Sequence, residues 1–204
     1  MKKKRLSPGD RWLVAVAVLA LALWLTHLSS RIAGADPIDN ALAGITGDGF
    51  LGLRVEPERR CSKYDRRDYH YPSSIEQKIV NRQGGIFGPY EMREFGSIRE
   101  TDIEHIVAAA EAHDSGMCAR SREERKAFAR DLDNLTLASP KVNRWQKSDR
   151  DAAEWMPEYS RCWYIARIME VKDKWDLSVD AGERDALQTW ILKCMKHFEM
   201  ETAQ

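Results

Sequence analysis

The 204-residue chain has no closely spaced cysteine pair, no internal repeat, no low-complexity block and no excess of positive charge. Without close cysteine pairs it cannot fold as a zinc ribbon. Its 32 basic residues are matched by 32 acidic ones, and the first 35 positions hold six of the basic and one of the acidic. The remainder therefore carries 26 basic against 31 acidic residues, a net charge of −5. This excludes nucleic-acid binding by bulk charge, so any such contact must come from a local patch. One stretch fits, residues 117–150, with nine basic side chains against five acidic ones, Arg130, Arg144 and Lys147 among them. A solvated helix face explains part of that run equally well, since Glu123 and Glu124 sit at helical spacing between Arg122 and Arg130.

The N-terminus reads as an export signal. Lys2, Lys3, Lys4, Arg5 and Arg11 precede an uncharged apolar run of 17 residues from Trp12 to Leu28. That length falls between a signal-peptide core and the shortest membrane-spanning helix, so cleavage and anchoring both stay open. Ala33-Gly34-Ala35 favours cleavage before Asp36. The rest of the chain is expected outside the cytoplasm, secreted or periplasmic, or held at the inner membrane if residues 1–35 remain attached. Residues 36–60, with Pro37, Pro57 and several glycines, read as an irregular leader, and 61–204 as one domain with a single core, expected to be a monomer. The four cysteines, Cys61, Cys118, Cys162 and Cys194, all lie in the exported part and imply two disulfides. Cys162 and Cys194 stand at similar distances from the turn near 176–180, so an antiparallel helix pair would face them together, leaving Cys61 for Cys118.

The expected fold class is α+β, mostly helical. Ser73 with Glu76 reads as a capping box opening a short helix that Gly84-Gly85 ends. Ile86-Phe87 and Phe95 flank Gly88-Pro89 as a hairpin, Ile103 to Val107 follows as a strand, and Ser121 with Glu124 caps a helix running to Asp131. Leu135-Thr136-Leu137 is a brief strand, and Pro140 opens a helix that carries Asn143. Two longer helices, about 158–175 and 181–198, form an antiparallel C-terminal pair, the second capped by Asp180 and Glu183. Their apolar stripes, Trp163, Ile165, Ile168 and Val171 on one and Leu187, Ile191, Leu192 and Met195 on the other, read as core scaffold.

The segment with chemical content is Asp102-Ile103-Glu104-His105-Ile106-Val107. In a strand it places Asp102 and Glu104 on one face and His105 on the other, so carboxylate and imidazole meet at one strand end. Taken alone, such a histidine is more often a surface residue than a catalyst. The partner segment from Asn134 to Asn143 adds an asparagine before the second strand and another inside the next helix.

With these residues the chain resembles the HNH, or ββα-metal, endonuclease superfamily, and most closely exported bacterial proteins similar to the C-terminal nuclease domain of GmrSD-type restriction enzymes. The resemblance spans roughly residues 61–194 and rests on Asp102 to Val107, Glu111 to Gly116, Phe128 to Leu135, Asn143 with Lys147, and Trp155-Met156-Pro157. It implies a ββα-metal core in which His105 is the general base that activates water. Glu104 and Asn143 would hold one divalent ion, with Asp102 as a further ligand or an orienting partner. Asn134 would tie the loop between the strands and orient the base, and Lys147 would contact phosphate, with Arg130 and Arg144 as weaker phosphate contacts. Asn143 stands where many members carry histidine, so oxygen ligands favour Mg²⁺ or Mn²⁺. The implied substrate is DNA or RNA, cut with low sequence preference through backbone contacts. Trp145 and Trp163 read as packing residues, and His113, in the Asp-Ser-Gly segment, as structural before catalytic. Two other classes compete. One is a catalytically silent nucleic-acid or envelope-binding module on the same fold, supported by the negative net charge. The other is a disulfide-rich structural or inhibitory secreted protein, which leaves the acidic strand and both asparagines unexplained.

Overall fold

The computed structural model describes residues 49–202, with side chains described as far as residue 196. The export segment, with its run Trp12–Leu28, lies outside the described residues. Among the described residues no helix is long and apolar enough to cross a membrane.

The chain opens with a tight hairpin, β1 (Gly49–Phe50) against β2 (Leu53–Arg54), which buries Phe50 and Leu53. Part of the expected irregular leader is therefore ordered. Val55 then bridges in parallel to Val179, with Glu56 N donating to Val179 O and Val179 N donating to Arg54 O. A 3₁₀ turn at Arg66–Tyr69 leads to α1 (Ile75–Gln83). No side-chain cap forms at Ser74, and the Ser73–Glu76 box is replaced by a turn in which Ile75 N donates to Pro72 O. Gly84 ends the helix in the left-handed region at φ 79°, a conformation that favours glycine.

β3 (Phe87–Gly88) pairs antiparallel with β4 (Arg93–Glu94), and a Cβ on Gly88 would stand 2.9 Å from the Phe95 ring, so the close approach requires glycine. β5 (Asp102–His105) follows, then α2 (Ala109–Asp114), a 3₁₀ turn at Met117–Ala119 and α3 (Arg122–Phe128). At α3 the capping box of Ser121 and Glu124 is formed in both directions, though the helix stops at Phe128, short of Asp131. β6 (Leu135–Ala138) runs antiparallel to β5, pairing His105 with Leu135 and Asp102 with Ala138. Past Pro140 the chain forms a π-helical turn at Val142–Lys147, where Ser148 N donates to Asn143 O, five residues back. The last two helices are α4 (Arg161–Lys174) and α5 (Ala181–Thr202), joined by the Cys162–Cys194 disulfide, while Cys61 bonds Cys118.

Apolar side chains form the core around the β5–β6 pair and under the last two helices. Ile75 and Ile79 of α1 lie against Leu135 and Leu137, while Ile165, Ile168 and Val171 of α4 are buried with Leu177, Val179 and Leu187. Each such side chain contributes roughly 1.5–3 kcal/mol. Met195, expected in the core stripe, is 37% exposed. Glu183 also departs from its expected role. Asp180 caps α5 alone, its Oδ1 accepting from Glu183 N, while the Glu183 carboxylate turns inward to Lys172. The fully buried Lys172 ammonium lies 2.5 Å from both Glu111 and Glu183 and donates to Ser178 O, fastening α2, α4 and α5 together.

Candidate active site

β5, β6 and the π-helical turn hold the candidate residues. On the turn, Asn143 and Lys147 are four residues apart and reach alternate carbonyls of β5: Asn143 Nδ2 donates to Ile103 O at 3.1 Å and Lys147 Nζ to His105 O at 3.0 Å. The turn is thereby fastened along the strand that presents Glu104 and His105.

His105 Nε2 lies 3.2 Å from Ala129 O. A carbonyl only accepts, so Nε2 must carry the proton and Nδ1 is left as the basic nitrogen. The ring is sandwiched by Phe128, with centroids 6.3 Å apart and planes at 7°, and by Tyr71 at 5.6 Å. Burial pushes the imidazole down to about 4, with the Lys147 and Arg66 charges acting in the same direction and the Ala129 bond opposing them. The ring is consequently neutral at physiological pH.

Asn134 is fully buried and both ends of its amide are used by one residue: Val107 N donates to Oδ1 at 2.7 Å and Nδ2 donates to Val107 O at 3.1 Å. It ties the residue just before β6 to the exit of β5 and touches no open surface.

Glu104 points to the interior. The Lys147 Nζ stands 2.9 Å from its Oε1, but off the hydrogen-bond line, so this oxygen, with Tyr90 OH and Tyr164 OH, is buried without a hydrogen-bond partner. Burial holds the carboxyl above its usual range, offset only in part by Lys147. Lys147 is itself 0% exposed. The expectation that it contacts phosphate is thus corrected: its ammonium is consumed by Glu104 and the His105 carbonyl. Asp102 is also placed differently from expectation, since both its oxygens accept from Arg144, each at 2.7 Å. Both its oxygens are thus engaged by one guanidinium.

The oxygen donors at this place are the Glu104 carboxylate, whose Oε1 lies beside the Lys147 ammonium, and the Asn143 side-chain carbonyl, whose amide nitrogen is engaged by Ile103 O. Arg144 and Arg130 are exposed, Arg130 resting against His70 O. The basic run is otherwise largely neutralised, with Arg122 and Arg125 paired to Asp68 and Arg120 to Glu124 and Asp176. Trp145, expected to pack, is instead 78% exposed and stands beside Asn143 and Arg144 on the turn. A cleft of about 370 Å³ lined by Ile79, Phe87, Leu135 and Trp163 adjoins the β pair, but it holds none of these polar groups. His113 is structural: its Nδ1 meets Tyr69 OH at 2.8 Å and its Nε2 meets Ser62 O at 2.9 Å.

Residues 59–190 match the family described as "GmrSD restriction endonucleases, C-terminal domain". The chain is also similar to an "Uncharacterized secreted protein" of Arthroderma benhamiae, 31% identical over 124 residues, which cover 59% of this chain and 60% of that one. No solved structure matches the chain.

Proposed function

Because the chain belongs to the family of GmrSD restriction endonuclease C-terminal domains, we propose that it is an exported, metal-dependent nuclease that hydrolyses phosphodiester bonds with His105 as general base. The observation that carries this reading is the bond from His105 Nε2 to Ala129 O, which fixes the tautomer with a bare Nδ1. A neutral imidazole so oriented accepts the proton of a water as that water attacks phosphorus. A Mg²⁺ or Mn²⁺ ion on Glu104 and Asn143 would supply charge neutralisation at the phosphate and the leaving 3′ oxygen. Asn134 and Lys147 are positioning residues here, one locking the exit of β5 and the other holding the His105 carbonyl and the Glu104 carboxylate in place.

With a net negative chain, substrate contact falls to the few exposed groups around the site. Arg144 and Arg130 suit phosphates, and the protruding Trp145 offers a face on which a base can stack. The two disulfides, together with the printed description of the Arthroderma relative, support an extracytoplasmic place of action.

The test is cleavage of plasmid DNA and of structured RNA by the oxidised protein with Mg²⁺, Mn²⁺ or chelator. Metal-dependent cleavage is expected, and His105→Ala should lower it by about 10²–10⁴-fold. Undiminished cleavage by folded His105→Ala protein would reject the base. Failure of the folded native protein to cut either polymer with either metal would favour a silent binding module.

A further inference from the structure

A row of aromatic rings leads outward from His105. Phe128, fully buried, lies parallel to the imidazole, and Tyr71, half-buried, packs against it at 5.6 Å. His70, which is exposed, then lies parallel to Tyr71, with planes at 3° and centroids 6.5 Å apart. These separations fall within the range of offset aromatic contacts. The core accounts for the inner members, since Tyr71 packs on the cluster of Ile75, Ile79, Leu135 and Leu137. It does not account for the outermost. Among the described residues the His70 ring makes no hydrogen bond, and only its backbone carbonyl is used, accepting from Arg130 Nε at 3.3 Å.

The segment is held in place although its tip faces solvent. Asp68 in the preceding 3₁₀ turn is paired to Arg122 and Arg125 of α3, His70 is extended at φ −80° and ψ 137°, and Pro72 confines Tyr71 to extended backbone. An exposed ring fixed in this way loses little freedom when another ring is laid on it. Charge leaves a role for such a contact. Residues 36–204 are net negative and most of the basic run is taken up by carboxylates, so attraction for phosphate falls to few groups, with Arg130 and Arg66 the exposed cations at this turn. Stacking on an aromatic face supplies affinity that does not depend on charge and accepts any base. Inside a duplex both faces of a base are covered by its neighbours, so only an unpaired base can lie on His70.

We propose that His70, backed by Tyr71, seats an unpaired nucleobase of a single-stranded nucleic acid whose scissile phosphate lies at His105. The inference deepens the nuclease reading and rests on it for the position of that phosphate. The two aromatic steps from His105 to His70 put the seated base within a few nucleotides of the cut, at about 3.4 Å per stacked nucleotide. Single strands, loops and frayed ends are then the favoured substrates, and internal duplex the poor one. His70 acts here through its face, as a specificity-determining residue, and transfers no proton.

The test is equilibrium binding of fluorescein-labelled oligothymidylate, oligouridylate and a mixed-sequence DNA duplex, each about 12 units long, to the oxidised protein in chelator, where no strand is cut. Cleavage of the same three with Mg²⁺ or Mn²⁺ follows. The native protein should bind a single strand about tenfold or more tightly than the duplex, and the two single-strand arms tell DNA from RNA. His70→Ala should weaken single-strand binding roughly 5–150-fold while leaving duplex binding, the salt slope and Tm nearly unchanged, because it removes an exposed ring and no phosphate contact. His70→Phe, which keeps a face and deletes the ring nitrogens, should restore most of the affinity. Arg130→Ala should instead lower the salt slope by about one. Native affinity for single strands no greater than for duplex, undiminished single-strand binding by His70→Ala, or His70→Phe no better than His70→Ala would overturn the proposal. The expected binding pattern in a protein that cuts none of the three would sustain the platform and sink the nuclease reading.

Discussion

At the residue scale, Lys147 shows how far a side chain's role depends on what covers it. Its spacing from Asn143 reads the same whether the ammonium reaches solvent or lies under a strand, and only tertiary packing decides for burial against Glu104. Lys147→Met is therefore expected to destabilise the fold by about 3–5 kcal/mol in urea unfolding, because it strands a buried carboxylate. A phosphate contact would instead change the salt dependence of substrate binding while leaving stability alone. The positions of His105 at the end of β5 and of Asn134 just before β6 are legible in the sequence from the strand and turn residues around them. The exposure of Trp145 is not legible, since an aromatic at helical spacing ordinarily packs inward and a π-helical turn shifts which positions face out.

Among elements, the fastening of α1, the lead-in to β6, and α4 falls largely to acidic side chains. Asp133 accepts from Arg82 of α1 at 2.5 Å and from Lys174 of α4 at 2.8 Å, while Asp131 takes Lys174 Nζ and the Trp175 indole, each at 2.7 Å. Burial alone would raise the Asp133 carboxyl, but the two cations outweigh it and hold it below its usual range. A depressed carboxylate stabilises the fold above its unfolded value, about 3.9, and loses that contribution as pH falls through the folded one. Asp133→Asn should thus cost about 1 kcal/mol at pH 7 and almost nothing at the acid end, giving a flatter pH profile of unfolding. Most helices and the β5–β6 pair can be read from caps, breakers and alternation. The β1–β2 hairpin cannot, because strands of two residues carry no period, and Glu183 reads as a capping partner although Lys172 draws it inward.

For the whole molecule, the two disulfides close loops with sequence separations of 57 and 32 residues. In the loop-entropy account each is worth about 4 kcal/mol, so Cys162→Ser with Cys194→Ser should lower stability by up to that amount, measured as a fall in the urea midpoint at unchanged slope. The Cys61–Cys118 bond has a more specific reach. Its Cys118 carbonyl accepts from Arg125 of α3, whose guanidinium also holds Met117 O and Asp68, and α3 is followed directly by Ala129, whose carbonyl meets His105 Nε2. Three short links thus connect a sulfur–sulfur bond to the imidazole proton. Reduction of that bond is therefore expected to loosen the anchorage of α3 and, through it, the carbonyl that orients the His105 ring.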